Sequence, residues 1–578
     1  MKDRVREDIG TEEHAEWAAI KWKPILKRVR NLRQRIFRAS KAQAWNQLRS
    51  LMKLMLRSQA NLLLAIKQIT QINLGRKTAG IDGQKALTNA QRIKLYRELK
   101  EATPWQVKPV KRVYIPKAKG KLRPLGIPVV KDRVLQAVVK NALEPSWEAR
   151  FESRSYGFRP GRSVQDAITY SHTRLCGDKG DNWVLDADIQ GAFDNISHTY
   201  LLSTLGDIPG KALIKQWLKA GYLEQGCFHS TTAGVPQGGV ISPLLANIAL
   251  HGLSELLAPF KNIRTSQRIP KGRKRVRIEH HQSPRYGYCR YADDLLITAK
   301  TQADIEAIVP VVQEWLQVRG LQFNPEKTRI VSVNNGLNFL GFHIQKWNGK
   351  CLTCPQKEKT LAFVSKIRQW LKQHRDTSQS DVIRYLNPIL RGWANFYCHG
   401  SSARVFRYVD CEVWKALWRW AIKRHPRKSK WWIARKYFNP QNRDWRFKTT
   451  VNNRQGQPFT LRLFRLGDMN ITRHVLVKDT ASPDDPTLSQ YWQHRRTQFG
   501  KKRFARGSKL YALATQQQWK CPLCGEHLLN GEEFHIHHKI KVKDGGSNTE
   551  ENLELLHASC HHDLHAGENL ESLSRMMG

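Results

Sequence analysis

The stretch CRYADDLLITA, residues 289–299, sets Asp293 beside Asp294 between two apolar runs. Ionised carboxylates in such a setting are costly unless cationic charge meets them. A strand–turn–strand reading places the pair at a hairpin tip. A second segment, NWVLDADIQGAFDNISH, runs Val184–Leu185 into Asp186 and Asp188, which share one face of a strand, and Asp194 follows on a helical turn. If the two segments are neighbours, Asp188 and Asp293 can share divalent cations. Two such ions held by carboxylates suit nucleotidyl transfer, activating a 3′-hydroxyl and stabilising a pyrophosphate leaving group. An isolated Asp-Asp pair is ordinarily a solvated turn. Here the surroundings weigh against that reading: IPKAKGKL and RPLGIP form a basic hairpin suited to a triphosphate, and SYGFRPGRSVQDAI and GVPQGGVISPLLANIAL lie between the Asp segments.

A second chemical cluster lies near the C-terminus. CPLC (Cys521, Cys524) and HASC (His557, Cys560) are two ligand pairs with two-residue spacers, the pattern of a tetrahedral zinc site. Alone, it fits a structural zinc ribbon. FHIHHKI adds His537 and His538 on a predicted strand, where neighbours point in different directions. A Gly-Gly turn, Asn552 and a predicted helix with His561 and His565 on one face follow. One cation could be held by His537, His561 and His565, leaving His538 to activate water; a zinc-binding DNA clamp without catalysis is the plainer alternative. CLTC (Cys351, Cys354) has no second ligand pair nearby and stays unassigned.

The remaining composition says what must position these groups and what they meet. The chain of 578 residues carries 97 basic and 49 acidic residues, a net charge of +48, so a polyanion is the expected partner. The densest apolar run, Leu62–Ile66, is too short to span a bilayer, and no signal peptide is read. Ten cysteines are too few for a secreted disulfide framework, which fits a reducing cytoplasm. Lys21–Arg57 holds twelve basic residues and no acid, with Trp45, Leu48, Met52 and Met55 at helical spacing; a phosphate-facing helix is preferred over a solvated one. Strands and helices alternate from about Gly80 to Trp347, an α/β or α+β body. From Lys357 to Trp445 the pattern is helical, basic and rich in tryptophan (Trp393, Trp414, Trp418, Trp420, Trp431, Trp432, Trp445), mostly core with some available to grip RNA. SPDDP, 482–486, reads as a linker. After Trp519 the charge reverses, to five basic and ten acidic residues, marking a separate module.

The ordered series GIDG, RPLGIP, YGFRPGRS, DIQGAFDNI, PQGGVISP, YADD, NPEKT and FLGF, spanning roughly Gly80 to Phe342, resembles reverse transcriptases, and among them the group II intron-encoded proteins. The C-terminal cluster resembles the HNH (ββα-metal) nucleases, with His537 where many relatives have Asp and His557 where many have a third zinc cysteine. GWANFYCHGSS, 392–402, looks like the thumb or maturase region. The resemblance implies a multidomain protein: an α+β right-hand polymerase fold, a helical thumb, a DNA-binding region and a small HNH domain with a zinc site. The expected divisions are a basic RNA-binding extension at 1–75, fingers and palm at 76–347, thumb and maturase at 348–440, DNA-binding region and linker at 441–518, and HNH at 519–578. It implies that Asp188, Asp293 and the Ile189 carbonyl hold two Mg²⁺ with Asp294 completing the site. Phe193 is the expected steric gate against a 2′-hydroxyl, Gln237 lies by the nucleotide pocket, and Lys121 and Arg123 meet the triphosphate. In the HNH site His538 is the expected base, Asn552 orients it, and His537, His561 and His565 hold a divalent ion. Cys521, Cys524, His557 and Cys560 hold structural Zn²⁺. The implied partners are intron RNA, target DNA and deoxynucleoside triphosphates, with no membrane, in a bacterial cytosolic ribonucleoprotein whose oligomeric state is left open. The implied function is reverse transcription, splicing assistance and nicking for target-primed retrohoming. Another bacterial reverse transcriptase should lack the maturase and HNH regions, and a splicing-only maturase should have a damaged YADD.

Overall fold

A computed structural model describes residues 17–101, 105–116, 122–177, 179–268, 277–438, 445–452, 456–504, 507–562 and 564–565. The basic N-terminal run folds as two helices, Trp22–Lys41 and Trp45–Arg57, followed by a third, Gln59–Lys67. Ile25, Val29, Leu32 and Ile36 of the first, and Leu48, Leu51, Met52 and Met55 of the second, are buried against helix Val130–Glu148. Trp45 departs from the expected face: it is 45% exposed, with the Arg150 guanidinium over its ring. The basic side of the first helix is also used partly by protein. Arg33 pairs with Glu144 and Asp484, Lys41 with Asp485, and Arg30 with Glu526, while the Lys23 ammonium donates to the Leu523 carbonyl.

The region expected as the fingers contains a hairpin, Val110–Pro116 with Leu122–Ile127, extended by strands Tyr222–Glu224 and Cys227–His229. Lys121 lies outside the described residues. The region expected as the palm, called the palm below, holds an antiparallel four-stranded sheet in the order Arg329–Ser332, Trp183–Asp188, Asp294–Ala299, Gly287–Tyr291. Helix Gln302–Gln317 packs on this sheet, and helix Val164–Leu175 packs on strand Gly287–Tyr291. Alternation explains the burial: Leu185, Ala187, Leu295 and Ile297 face the first core, Val184 and Leu296 the second. A meander of three strands, Leu337–Phe339, Phe342–Trp347 and Lys350–Pro355, leads to the thumb. Cys351 and Cys354, three apart on its last strand, point to opposite faces.

The region expected as the thumb, called the thumb below, holds three helices, Lys357–Gln373, Gln379–Tyr397 and Ala403–Arg424. Its tryptophans are chiefly packing residues. Trp414 and Trp418 stack with ring centroids 5.6 Å apart, and Trp420 is buried, but Trp431 is 65% exposed. After hairpin Lys448–Asn452 with Pro458–Arg462, the chain returns to the palm. SPDDP is therefore not a linker: Ser482, Asp484 and Asp485 are buried. The physical reason is charge, since Arg33 donates to both oxygens of Asp484 at 2.9 and 2.7 Å, and Lys41 to Asp485 at 3.1 Å. The C-terminal module also begins earlier than the charge reversal at Trp519. Its core joins Phe504, Leu513 and Ala514 to Trp519, Leu528, Leu553 and Leu555. Among the described residues no helix is long and apolar enough to cross a membrane.

A buried carboxylate ties this returning segment to the palm. Asp166, fully buried on helix Val164–Leu175, accepts from Ser163, from His474 Nε2, from the Val477 amide and from Arg495. Burial alone would raise its pKa; the hydrogen bonds and positive charge of His474, Ser163 and Arg495 instead hold it at about 2. A carboxylate whose pKa is depressed on folding stabilises the fold above its unfolded pKa and loses that contribution as pH falls through the folded one. Thermal melts should therefore show a destabilising limb between about pH 4 and about pH 2. Asp166→Asn should flatten that limb, and at neutral pH should cost about 1–3 kcal/mol by leaving the half-buried Arg495 guanidinium without its carboxylate.

Candidate active sites in the palm and the C-terminal module

Antiparallel pairing sets Asp188 directly opposite Asp294 at the end of the two central palm strands. The turn between the hairpin strands is Ala292–Asp293, with Ala292 in the left-handed region at φ +57°. Asp188 and Asp294 thus lie side by side, and Asp293 stands above them on the turn. Asp186 shares their strand face. NPEKT closes over the group: the Asn324 amide donates to the Asp188 carbonyl at 2.8 Å, and Lys327 Nζ lies 2.7 Å from Asp188 Oδ2. Burial, then the neighbouring carboxylates Asp293, Asp188 and Asp186, push Asp294 up to about 7. Burial and the Asp188 charge push Asp186 up to about 6, although Arg329 opposes this, and burial also raises Asp293. Lys327, with Arg329 and Arg123 nearby, does not offset four carboxylates, two of which are pushed up to about 6 and about 7. An all-oxygen cluster short of positive charge is a donor set suited to hard divalent ions.

The turn is braced from below by Arg290, only 1% exposed. Its Nη1 donates to Asn247 Oδ1 at 3.1 Å and to the Ala292 carbonyl at 3.3 Å, while Asn247 Nδ2 donates to the Gly157 carbonyl at 2.8 Å. Gly157 must be glycine, because a Cβ there would sit 2.3 Å from the Ala292 nitrogen. The YGFRPG and PQGG segments therefore meet under the carboxylates. Beside the site Arg123 Nε donates to Gln237 Oε1 at 3.0 Å, and Gln237 Nε2 to Asp194 Oδ2 at 3.2 Å. Phe193 is buried one residue before Asp194, its carbonyl accepting from the Val235 amide at 2.6 Å, and its ring meets Phe158 edge-on. Ile189 is buried, bridging to Phe323. Asp188, Asp293, Asp294, Ile189, Phe193, Gln237 and Arg123 are thus brought to one end of the palm. Lys327, within NPEKT, and Arg290, directly before YADD, carry no local signal of these roles, which depend on partners distant in the chain.

In the C-terminal module strand Phe534–His538 pairs with Leu553–His557. His557 comes from the end of the second strand and Cys560 from the helical turn after it. With Cys521 and Cys524 they bring three sulfurs and one imidazole nitrogen within 4.8 Å of one another. His557 Nδ1 faces Cys524 Sγ at 3.2 Å, and its Nε2 donates to the His527 carbonyl at 3.1 Å, which fixes the ring with one nitrogen free for a metal. His537, His561 and His565 form a second group, also within 4.8 Å. His538, the next residue along the strand, points elsewhere, and its Nε2 lies 2.8 Å from Asn548 Oδ1. Among the described residues, the Asn552 side chain makes no hydrogen bond to His538. Its amide closes the intervening loop instead, donating to the Ile540 and Ser547 carbonyls and accepting from the Ile540 amide. The expected orienting contact is therefore made by Asn548, ten residues along the chain from His538. Only the loop's folded path brings the two together, so spacing could not identify it.

Comparison with known proteins places these two sites in a family. Residues 115–344 match the model for reverse transcriptase (RNA-dependent DNA polymerase), and residues 17–99 that for the N-terminal domain of reverse transcriptase. Residues 360–438 match the group II intron maturase-specific domain and 521–567 the HNH endonuclease. The chain is 37% identical to protein YkfC of Escherichia coli K12 over 308 residues, 50% of this chain and 81% of YkfC. It is 30% identical over 413 residues to the group II intron-encoded protein LtrA of Lactococcus lactis subsp. cremoris, 58% of this chain and 68% of LtrA. A putative COX1/OXI3 intron 1 protein of Saccharomyces cerevisiae is 30% identical over 339 residues, 52% of this chain and 39% of that protein. With the carboxylate cluster, the helical thumb and the histidine module in this order, the chain belongs to the group II intron-encoded proteins: an RNA-directed DNA polymerase, a maturase and an HNH DNA endonuclease in one polypeptide.

Proposed function

We propose that Asp188, Asp293 and Asp294, with the Ile189 carbonyl, form the polymerase centre and would hold two divalent ions, magnesium being favoured by an all-oxygen donor set. Such ions, when bound, supply a Lewis acid for the primer 3′-hydroxyl and a counter-charge for the pyrophosphate. The carrying observation is the register that sets Asp188 against Asp294 beneath the Asp293 turn. Lys327 stands in for part of that cationic charge. Arg123, positioned by Gln237 and Asp194, faces the triphosphate of a deoxynucleotide, and Lys121 precedes it in sequence. Phe193 closes the floor on the sugar side and disfavours a 2′-hydroxyl. Intron RNA is held along the basic helices, and its compact fold is supported by neutralisation of phosphate repulsion.

At the C-terminal module His538 takes the proton from water, its ring held by Asn548, while His537, His561 and His565 would hold a divalent ion beside the leaving oxygen. Cys521, Cys524, His557 and Cys560 would hold zinc, for which three thiolates and an imidazole are a fitting set. The nick leaves a 3′-hydroxyl, the primer the palm requires. Target-primed reverse transcription at a site opened by reverse splicing joins both activities.

Three outcomes test this reading. With a primed RNA template, deoxynucleotides and Mg²⁺, Asp293→Asn should slow extension by about a thousandfold, some 4 kcal/mol of transition-state stabilisation; wild-type rates in this variant would remove the palm assignment. His538→Ala should lower DNA nicking by about 10²- to 10⁴-fold and leave primer extension and RNA binding unchanged. Cys521→Ser, or extraction of zinc by a chelator, should unfold the C-terminal module and abolish nicking, with polymerase activity in the same preparation retained.

A further inference from the structure

At the end of the palm sheet away from the carboxylates lies a recess of about 270 Å³. Arg174, Lys179, Lys300, Asn262, His281 and Ser283 line it. They come from the end of helix Val164–Leu175 and the loop after it, the residue following strand Asp294–Ala299, and the base of the hairpin Lys261–Arg268 with Arg277–Pro284. At about 3.3 Å per residue, the run from Asp294 to Lys300 puts it about 20 Å from the polymerase centre. The recess is therefore separate from the polymerase centre.

The recess has a fixed base and surplus positive charge. Asp181, 2% exposed, accepts from Arg174 Nε at 2.7 Å and from Thr298 Oγ1 at 2.6 Å, which holds the guanidinium in place. That carboxylate offsets Arg174. Lys179 and Lys300 then remain, with no carboxylate partner among the described residues. The amide of Asn262, the hydroxyl of Ser283 and the imidazole of His281 add hydrogen-bonding capacity. Two ammonium groups with neutral donors between them fit a phosphodiester, not a carboxylate-rich protein surface that would compete for Arg174. In sequence, the stretch from Arg264 to Arg277, RTSQRIPKGRKRVR, has seven basic residues and no acid.

We infer that this recess binds a backbone phosphate of the intron RNA, anchoring the RNA behind the palm while the catalytic end works on primer and template. The inference rests on the chain's membership of an intron-RNA-binding family. Binding of the wild-type protein to RNA reports on that membership, and the difference between wild type and variant reports on the recess.

The test uses the full-length protein, a fluorescein-labelled RNA hairpin and a DNA hairpin of the same sequence, with anisotropy read over a range of KCl concentrations. The double variant Lys179→Glu/Lys300→Glu should bind the RNA hairpin at least about tenfold more weakly, and its salt slope should be shallower by about two. Asn262→Asp, which removes no lysine, should weaken binding in the same direction. Primer extension on a short template should be unchanged in both, since none of these residues belongs to the polymerase centre. Equal RNA affinity and slope in wild type and both variants would overturn the inference. An equal loss on the DNA hairpin would also overturn it, by making the occupant DNA.

Discussion

Like-charge repulsion among half-buried carboxylates is the constraint around which this palm is built. Asp188 and Asp294 are forced together by strand register, with Asp293 above and Asp186 on the same face. Left to themselves such groups would separate or take up protons, and burial, with the neighbouring carboxylate charges adding to it, raises the pKa values of Asp294 and Asp186. The surrounding fold prevents separation. Arg290 grips the Ala292 carbonyl, Asn247 ties that arginine to the Gly157 loop, and Asn324 clasps the Asp188 main chain. The protein thereby keeps a high density of negative charge that favours bound cations.

The same logic of opposite charge, with the signs reversed, organises the rest of the chain. A net charge of +48 disfavours compaction, and the few acidic residues are placed where they hold modules together. Asp484 and Asp485 fasten the C-terminal return to the first basic helix, Asp166 fastens it to the palm, and Glu526 brings the HNH knuckle to Arg30. Helix Trp22–Lys41 consequently serves two partners. Its apolar stripe packs on the polymerase, and part of its basic face holds the two C-terminal segments. Among the remaining basic residues, Arg28 and Arg35 stay exposed.

Much of the candidate site was legible in residue types because metal chemistry demands particular donors at short range. YADD, the Asp186–Asp188 alternation and the Cys/His pairs each carry that demand in a few consecutive positions. The groups that support them were harder to see. Arg290 is two residues before Ala292, yet its importance depends on Asn247 and Gly157, distant in the chain. Asn552 occupies the expected motif position, but its amide is engaged by loop carbonyls, and Asn548 reaches His538 instead. SPDDP carries every local mark of a linker, and only the facing Arg33 and Lys41 make it a buried docking segment.

The sequence by itself determined the chemistry: which residues can ligate metals, which segments are strands or helices, and that the partner is a polyanion. These follow from local properties, namely side-chain donor type, hydrophobic period and net charge. Tertiary structure alone decided the register that pairs Asp188 with Asp294, the bracing of the turn by Arg290, and the meeting of Asp484 with Arg33. It also decided which asparagine faces His538. Those depend on contacts between residues far apart in sequence, whose energies arise only once the chain has closed its loops and excluded water.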